Sequence, residues 1–315
     1  MQVQASIIAA VLPISIYLVF LWQADRFERE SFSDILKHFL WGALGAVFLS
    51  LAGGKFYSNL LELFLPRGNR LTLLESIYFA PVFEEASKAI FLFYTISSKK
   101  IDNVTDGLVY GGSIGLGFGM IENFFYFLLF DFAGDSWITL VVMRSVFSAV
   151  MHAVSTAAMG AFIAKALYSG KRPKILFYIS GLFSAILIHF IWNLSVSFEF
   201  SFYLGIIFMS ILIALFIIYF FRQKSIEKKI IITELQEECD TGLLPYHYLP
   251  IISSGNKDKK GWIDERIRNE YSNAAVKLAL RKNQMKTSGR NLLFFEKEIE
   301  YYRNKIQELS GKYEG

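Results

Sequence analysis

The chain has 315 residues, of which 54% are hydrophobic and 17% aromatic but only 19% charged, where a soluble domain carries about 25% charged residues. Residues 1–221 hold 14 Lys/Arg and 14 Asp/Glu, and residues 222–315 hold 18 and 14, so the tail carries the whole formal charge of +4. These figures exclude a water-soluble enzyme, a secreted disulfide scaffold and a disordered chain, and the single Cys239 excludes an internal disulfide or a thiolate zinc cluster.

A bilayer-crossing helix needs about 20 apolar residues. In chain order the pattern predicts seven: Val3–Trp22, Leu36–Ala52, Leu71–Ile96, Gly107–Phe130, Trp137–Leu167, Ile175–Phe198 and Phe200–Phe221. The first reads as a signal anchor, because no basic segment precedes it and no small-residue cleavage site follows. Phe56–Leu65 is apolar but too short to cross and reads as an interfacial element. After residue 221 the chain becomes polar. Leu292, Phe295, Ile299, Tyr302, Ile306 and Leu309 then follow the three- and four-residue steps of one helix face. Asp264–Lys286 reads as its partner helix, with Gly289 as the break between them. The expected fold class is all-α: a polytopic membrane domain of about seven transmembrane helices, 1–221, and a small helical cytoplasmic tail, 222–315.

Basic residues set the orientation. One set of loops carries Arg26, Arg29, Lys37, Lys99, Lys100, Lys165, Lys171, Arg172, Lys174, Arg222, Lys224, Lys228 and Lys229; the other carries Lys55, Arg67 and Arg70. Thirteen against three predicts an outside amino terminus and a cytoplasmic tail. No internal repeat of 20–50 residues is present, which argues against a solenoid or a duplicated transporter.

Ionisable side chains inside a span are costly, about 2.5–3.5 kcal/mol each on insertion scales, and are functional candidates by default. Span three carries Glu84, Glu85 and Lys88. Four-residue spacing pairs Glu84 with Lys88 and turns Glu85 about 100° away. Span four carries the stripe Gly111, Gly115, Gly119, which permits close helix approach, followed by Glu122 and Asn123. Span five aligns Arg144, Ser148, His152 and Ser155; span six aligns His189 and Asn193 on either side of Trp192. Helix rise puts Glu84, Glu122, His152 and His189 roughly 12–22 Å below the outer surface, depths compatible with a single site.

Glu84-Glu85-x-x-Lys88, Phe118-x-x-x-Glu122-Asn123 and His189-x-x-x-Asn193 resemble the three motifs of the PrsW family of bacterial intramembrane proteases, distant relatives of the CAAX-prenyl endopeptidase/Abi group. The likeness covers residues 10–221, including the Asp25-Arg26-Phe27-Glu28 loop. It implies catalytic roles for Glu84, Glu85 and His189, residence in a bacterial cytoplasmic membrane, and a single-pass membrane substrate of the anti-sigma-factor kind cut near its outer side. Where the prenyl endopeptidases have a histidine, this chain has Glu122.

Peptide hydrolysis needs a base for water, an acid for the leaving amine and donors for the oxyanion. A Glu84–Glu122 dyad sharing one proton would supply base and acid; His189 and Asn193 would serve the oxyanion, Lys88 would balance charge, and His152 and Arg144 would support. Metal-free chemistry is the preferred expectation. A zinc ion held by Glu84, Glu122, His152 and His189, with Glu85 as base, is the alternative. The tail is expected to influence abundance or docking rather than chemistry, and the lipid bilayer, not nucleic acid, is the expected surrounding. The competing classes are a proton or ion relay for transport, and a non-catalytic membrane scaffold.

Overall fold

The computed structural model describes residues 2–25, 27, 29–66, 68–98, 100–130, 135–167, 173–254, 257–288 and 292–311, and among these no strand occurs. Arg26, Glu28, Arg67, Lys99, Lys171, Arg172 and Gly289, used in the sequence reading, lie outside the described residues. The chain divides into two units. Unit one comprises Met1–Ala24, Glu30–Ala164 and Ile175–Tyr219; unit two comprises Asp25–Arg29, Lys165–Lys174 and Phe220–Gly315.

Seven long helices follow one another: α1 Gln2–Ala24, α2 Phe32–Leu61, α3 at 69–97, α4 Val104–Leu129, α5 Asp135–Leu167, α6 Lys174–Val196 and α7 Glu199–Asp240. Six of them are long and apolar enough to cross a membrane. The exception, α3, is interrupted by Arg70, Glu75, Glu84, Glu85 and Lys88. The about-seven-span reading therefore stands, with one refinement. The expected interfacial element is not separate, because α2 continues through a π-helical turn to Leu61 before the chain turns.

Helix α4 is the centre of unit one, buried without interruption from Thr105 to Gly119. Its first turn is closed by a capping box in which Asn103 accepts from the Asp106 N–H and Asp106 accepts from the Asn103 N–H. α1 and α2 pack along it, and α1 buries only the stripe Ser6, Ala10, Ile14, Leu18. The glycine stripe faces α5: a Cβ on Gly111 would overlap the Thr156 carbonyl, and one on Gly115 the His152 carbonyl. That backbone-to-backbone approach brings His152 alongside α4.

Three π-helical turns interrupt these helices, at Trp41–Ala46, Glu75–Phe79 and Arg144–Ser148. The second has a visible cause. Pro81 has no N–H to offer the Ile77 carbonyl, and the Ala80 N–H turns back to the Glu75 carbonyl. The Ser76 carbonyl is thereby released from the helix ladder.

Unit two contains the end of α7, the short helix α8 Leu249–Ile252, and the antiparallel pair α9 Arg268–Ser288 and α10 Leu292–Gly311. Gly242, at φ 79°, ends α7 in the left-handed conformation that favours glycine, with its N–H on the Cys239 carbonyl at 3.0 Å. The core joins Ile231, Leu235, Tyr271, Leu278, Ile299 and Ile306, and it includes Phe27 from the α1–α2 connection. Lys257 Nζ donates to the Phe27 carbonyl. Of the expected α10 face, Ile299, Ile306 and Leu309 are buried, whereas Leu292 is exposed.

Candidate active site

Four helices of unit one deliver the intramembrane polar residues: α3 carries Glu84, Glu85 and Lys88, α4 carries Glu122 and Asn123, α5 carries Arg144 and His152, and α6 carries His189 and Asn193. Most of them meet in one continuous chain of contacts. Arg144 Nη2 lies 2.8 Å from Glu122 Oε2, and the same oxygen accepts from His152 Nε2 at 2.7 Å. His152 Nδ1 lies 2.9 Å from Lys88 Nζ, which also donates to Glu85 Oε1 at 2.7 Å. Glu85 Oε1 in turn receives His189 Nδ1 at 3.1 Å.

The partners assign the histidine tautomers. A carboxylate only accepts and an ammonium only donates. His152 therefore carries its proton on Nε2, toward Glu122, and presents the Nδ1 lone pair to Lys88. His189 carries its proton on Nδ1, toward Glu85, which leaves the Nε2 lone pair bare.

The two adjacent glutamates occupy different surroundings. Glu85 is wholly buried, with Lys88, His189, Ser155 and Thr156 around its two oxygens; the hydroxyls stand at 3.3 Å. Glu84 retains 16% side-chain exposure, and its Oε2 has no hydrogen-bond partner. That oxygen lies 3.8 Å from His189 Nε2 and 4.0 Å from Lys88 Nζ. The expected Glu84–Lys88 ion pair is present but long, at 4.0 Å, and the closer partner of Lys88 is Glu85. Lys88, also wholly buried, leans to Glu85 because these two share the interior face, and Glu84 turns toward the open side.

Two further expectations change. Among the described residues no hydrogen bond joins Glu84 to Glu122, since the Glu122 oxygen is taken by Arg144 and His152. Asn193 does not point at the carboxylates: its Nδ2 donates to the Ser76 carbonyl at 2.9 Å, the group that the π turn releases. Sequence reasoning also passed over supporting groups. Thr156 reaches Glu85, the Phe118 ring lies 4.1 Å from Lys88 Nζ, and the Tyr126 ring lies 3.5 Å beneath the Arg144 guanidinium. Each had a positional signal: Phe118 and Tyr126 lie four residues either side of Glu122, and Thr156 four residues after His152.

Glu84, His152 and His189 can each offer a ligand atom, all within 4.8 Å of one another. Ligands on a tetrahedral zinc, at 2.0–2.2 Å from the ion, stand roughly 3.4 Å apart. The 3.8 Å between Glu84 Oε2 and His189 Nε2 is near that value, and the orphaned buried oxygen and the bare nitrogen are the donor types a divalent cation takes. Glu85 behind His189 and Glu122 behind His152 match the carboxylate–histidine pairs that orient metal-bound imidazoles. Three carboxylates against two cations, Lys88 and Arg144, leave the cluster formally at −1 with neutral histidines. Glu84 and His189 fit a cation as they stand, whereas the His152 lone pair on Nδ1 is engaged by Lys88 at 2.9 Å and Glu122 is not in the ligand group.

Residues 30–221 match the model of the "PrsW family intramembrane metalloprotease". Protease PrsW of Clostridioides difficile (strain 630) is 31% identical over 181 residues, 57% of this chain and 72% of that one. Protease PrsW of Geobacillus kaustophilus (strain HTA426) is 25% identical over 212 residues, 64% of this chain and 85% of that one. The protein of the same name from Bacillus subtilis (strain 168) is 24% identical over 182 residues, 54% of this chain and 73% of that one. No solved structure matches the chain.

Proposed function

Because this chain belongs to the PrsW family of intramembrane metalloproteases, a family of bacterial membrane peptidases, we propose that it hydrolyses a peptide bond at the Glu84–His189 pair, with Glu85 and Glu122 as supports. The observation that carries the reading is the unpartnered Glu84 Oε2 facing the bare Nε2 of His189.

Glu84 Oε2 and His189 Nε2 would hold a divalent cation such as zinc, joined by His152 Nδ1 where that lone pair turns from Lys88 to the ion; when bound, the cation lowers the pKa of a water and polarises the scissile carbonyl. This departs from the metal-free preference of the sequence reading. It is supported by the family's description and by the ligand group. Glu84 has two oxygens and only one faces His189, so its carboxylate can also take the proton of the attacking water and pass it to the leaving amine. Glu85 is too thoroughly enclosed to act as that base. It orients His189 through Nδ1, and Lys88 compensates its charge. Glu122 orients His152. A substrate helix must unwind locally to be cut, which requires a polar pocket within the bilayer.

The proposed substrate is a single-pass membrane protein of the anti-sigma-factor kind. The lopsided basic loops support an outside amino terminus and a scissile bond in or near the outer half of the substrate's span. The tail, residues 222–315, is proposed to lie in the cytoplasm. The test is incubation of the purified protein in proteoliposomes with a panel of single-pass substrates. A new fragment identified by mass spectrometry supports the reading, and a panel left uncut in the presence of zinc contradicts it.

A further inference from the structure

We propose that Arg144 is a positioning residue of this site: by holding the Glu122 carboxylate in place it fixes the tautomer and orientation of His152. The inference rests on the peptidase reading and adds a role to a residue outside the three sequence motifs.

Arg144 is the first residue of the π turn Arg144–Ser148, where the Ala149 N–H bonds the Arg144 carbonyl five residues back. Such wide turns are concentrated at functional sites because they re-aim side chains. Arg144 and His152 are eight residues apart on α5, yet both reach the same oxygen, Glu122 Oε2, at 2.8 and 2.7 Å.

The guanidinium is itself held on two further sides. Nε donates to Asn123 Oδ1 at 3.0 Å, and the Tyr126 ring lies 3.5 Å from its central carbon. Asn123 is wholly buried, while Glu122 retains 26% side-chain exposure. Without the guanidinium, the Glu122 carboxylate would be free to swing to its open side, and the acceptor that keeps the His152 proton on Nε2 would leave. Nδ1 would then no longer be reserved as the lone pair that meets Lys88 at 2.9 Å. A lysine reaches the carboxylate but has neither the Nε–H for Asn123 nor the planar face for Tyr126, so the requirement is for arginine's shape as much as its charge.

The test has two arms on the full-length protein in lipid nanodiscs. In the first, nitrogen NMR of labelled imidazoles reads the His152 tautomer directly, with the signal assigned through His152→Gln. The expected wild-type spectrum has Nε2 protonated and Nδ1 bare, and Arg144→Met is expected to yield a mixture. An unchanged His152 signal in Arg144→Met overturns the proposal whether or not a substrate is ever cut. The second arm measures cleavage. Arg144→Met should lower kcat about 10- to 100-fold, the range for losing an outer partner of a ligand histidine, with KM within about twofold. In a Glu122→Gln background the same change should cost less than about twofold more. A rise in KM at constant kcat would make Arg144 a substrate-binding residue and overturn the proposal. If Arg144→Met does not fold, Tyr126→Leu removes the stacking platform alone and must shift the same signal. Failure of the wild type to cleave would count against the peptidase reading and would leave the NMR arm to decide this one.

Discussion

Glu85 and His189 meet at 3.1 Å across α3 and α6, and this contact fixes which nitrogen of the histidine is available for chemistry. With the Nδ1 proton committed to Glu85, Nε2 faces the neighbouring Glu84, 3.8 Å away. Two successive glutamates thus have unlike surroundings, Glu85 enclosed and Glu84 partly open.

The first prediction separates the two. Glu85→Gln leaves the buried Lys88 ammonium without its carboxylate, and breaking a buried pair in this way costs about 3–5 kcal/mol. Its thermal unfolding midpoint in detergent should fall markedly. Glu84→Gln removes a group with no hydrogen-bond partner on Oε2 and should unfold within a few degrees of wild type. Equal midpoints for the two variants would contradict the division.

Metal content provides the second prediction. The purified protein should carry close to one divalent cation per chain, and His189→Ala should lose most of it, since outer and inner ligand changes each cost at least about tenfold in affinity. Elemental analysis after dialysis reads this without any substrate. Wild-type protein free of metal, yet active in chelator, would return the account to the metal-free carboxylate chemistry.

Helix packing supplies the third. A Cβ on Gly115 meets the His152 carbonyl, whereas one on Gly54 meets nothing within 4 Å. Gly115→Ala should destabilise by about 1–3 kcal/mol through overpacking and lower activity by displacing His152. Gly54→Ala should be neutral or stabilise by up to about 1 kcal/mol. Calorimetry of the two variants checks the contrast, and equal destabilisation would show that the α4–α5 seam is not what places His152.

How far the sequence could be read follows from the physics of each signal. Spans such as Val3–Trp22 and Phe200–Phe221 announce themselves, because the bilayer demands length and apolarity and little else. The residues that meet at the site were also legible, since a buried Glu84, Glu122 or His189 is costly anywhere else in a span. Their pairing was not. Lys88 is reachable from both Glu84 and Glu85, and only the burial of one face of α3 decides between them. Asn193 was out of reach for a similar reason: its partner is a backbone carbonyl released by a π turn, and no residue type advertises that. The place of Phe27 in the core of unit two was equally invisible, since a seven-residue connection carries no periodicity.

That connection gives the fourth prediction. Phe27 is 6% exposed in the core of unit two, so Phe27→Ala should destabilise that unit by about 3–5 kcal/mol. Hydrogen exchange within α9 should accelerate accordingly. Unchanged protection of Tyr271 and Leu278 would place Phe27 outside the core.

The central claim is that Glu84 performs the chemistry, and the most direct measurement compares fragment release by wild-type and Glu84→Gln protein from one single-pass substrate in the same proteoliposomes. Glutamine keeps the size of the side chain and removes the proton acceptor. The account predicts a fragment whose new terminus maps to the outer half of the substrate's span, and its loss by at least about 1000-fold in a Glu84→Gln protein that is folded and present at wild-type level. Cleavage by Glu84→Gln at a rate near that of wild type would contradict it.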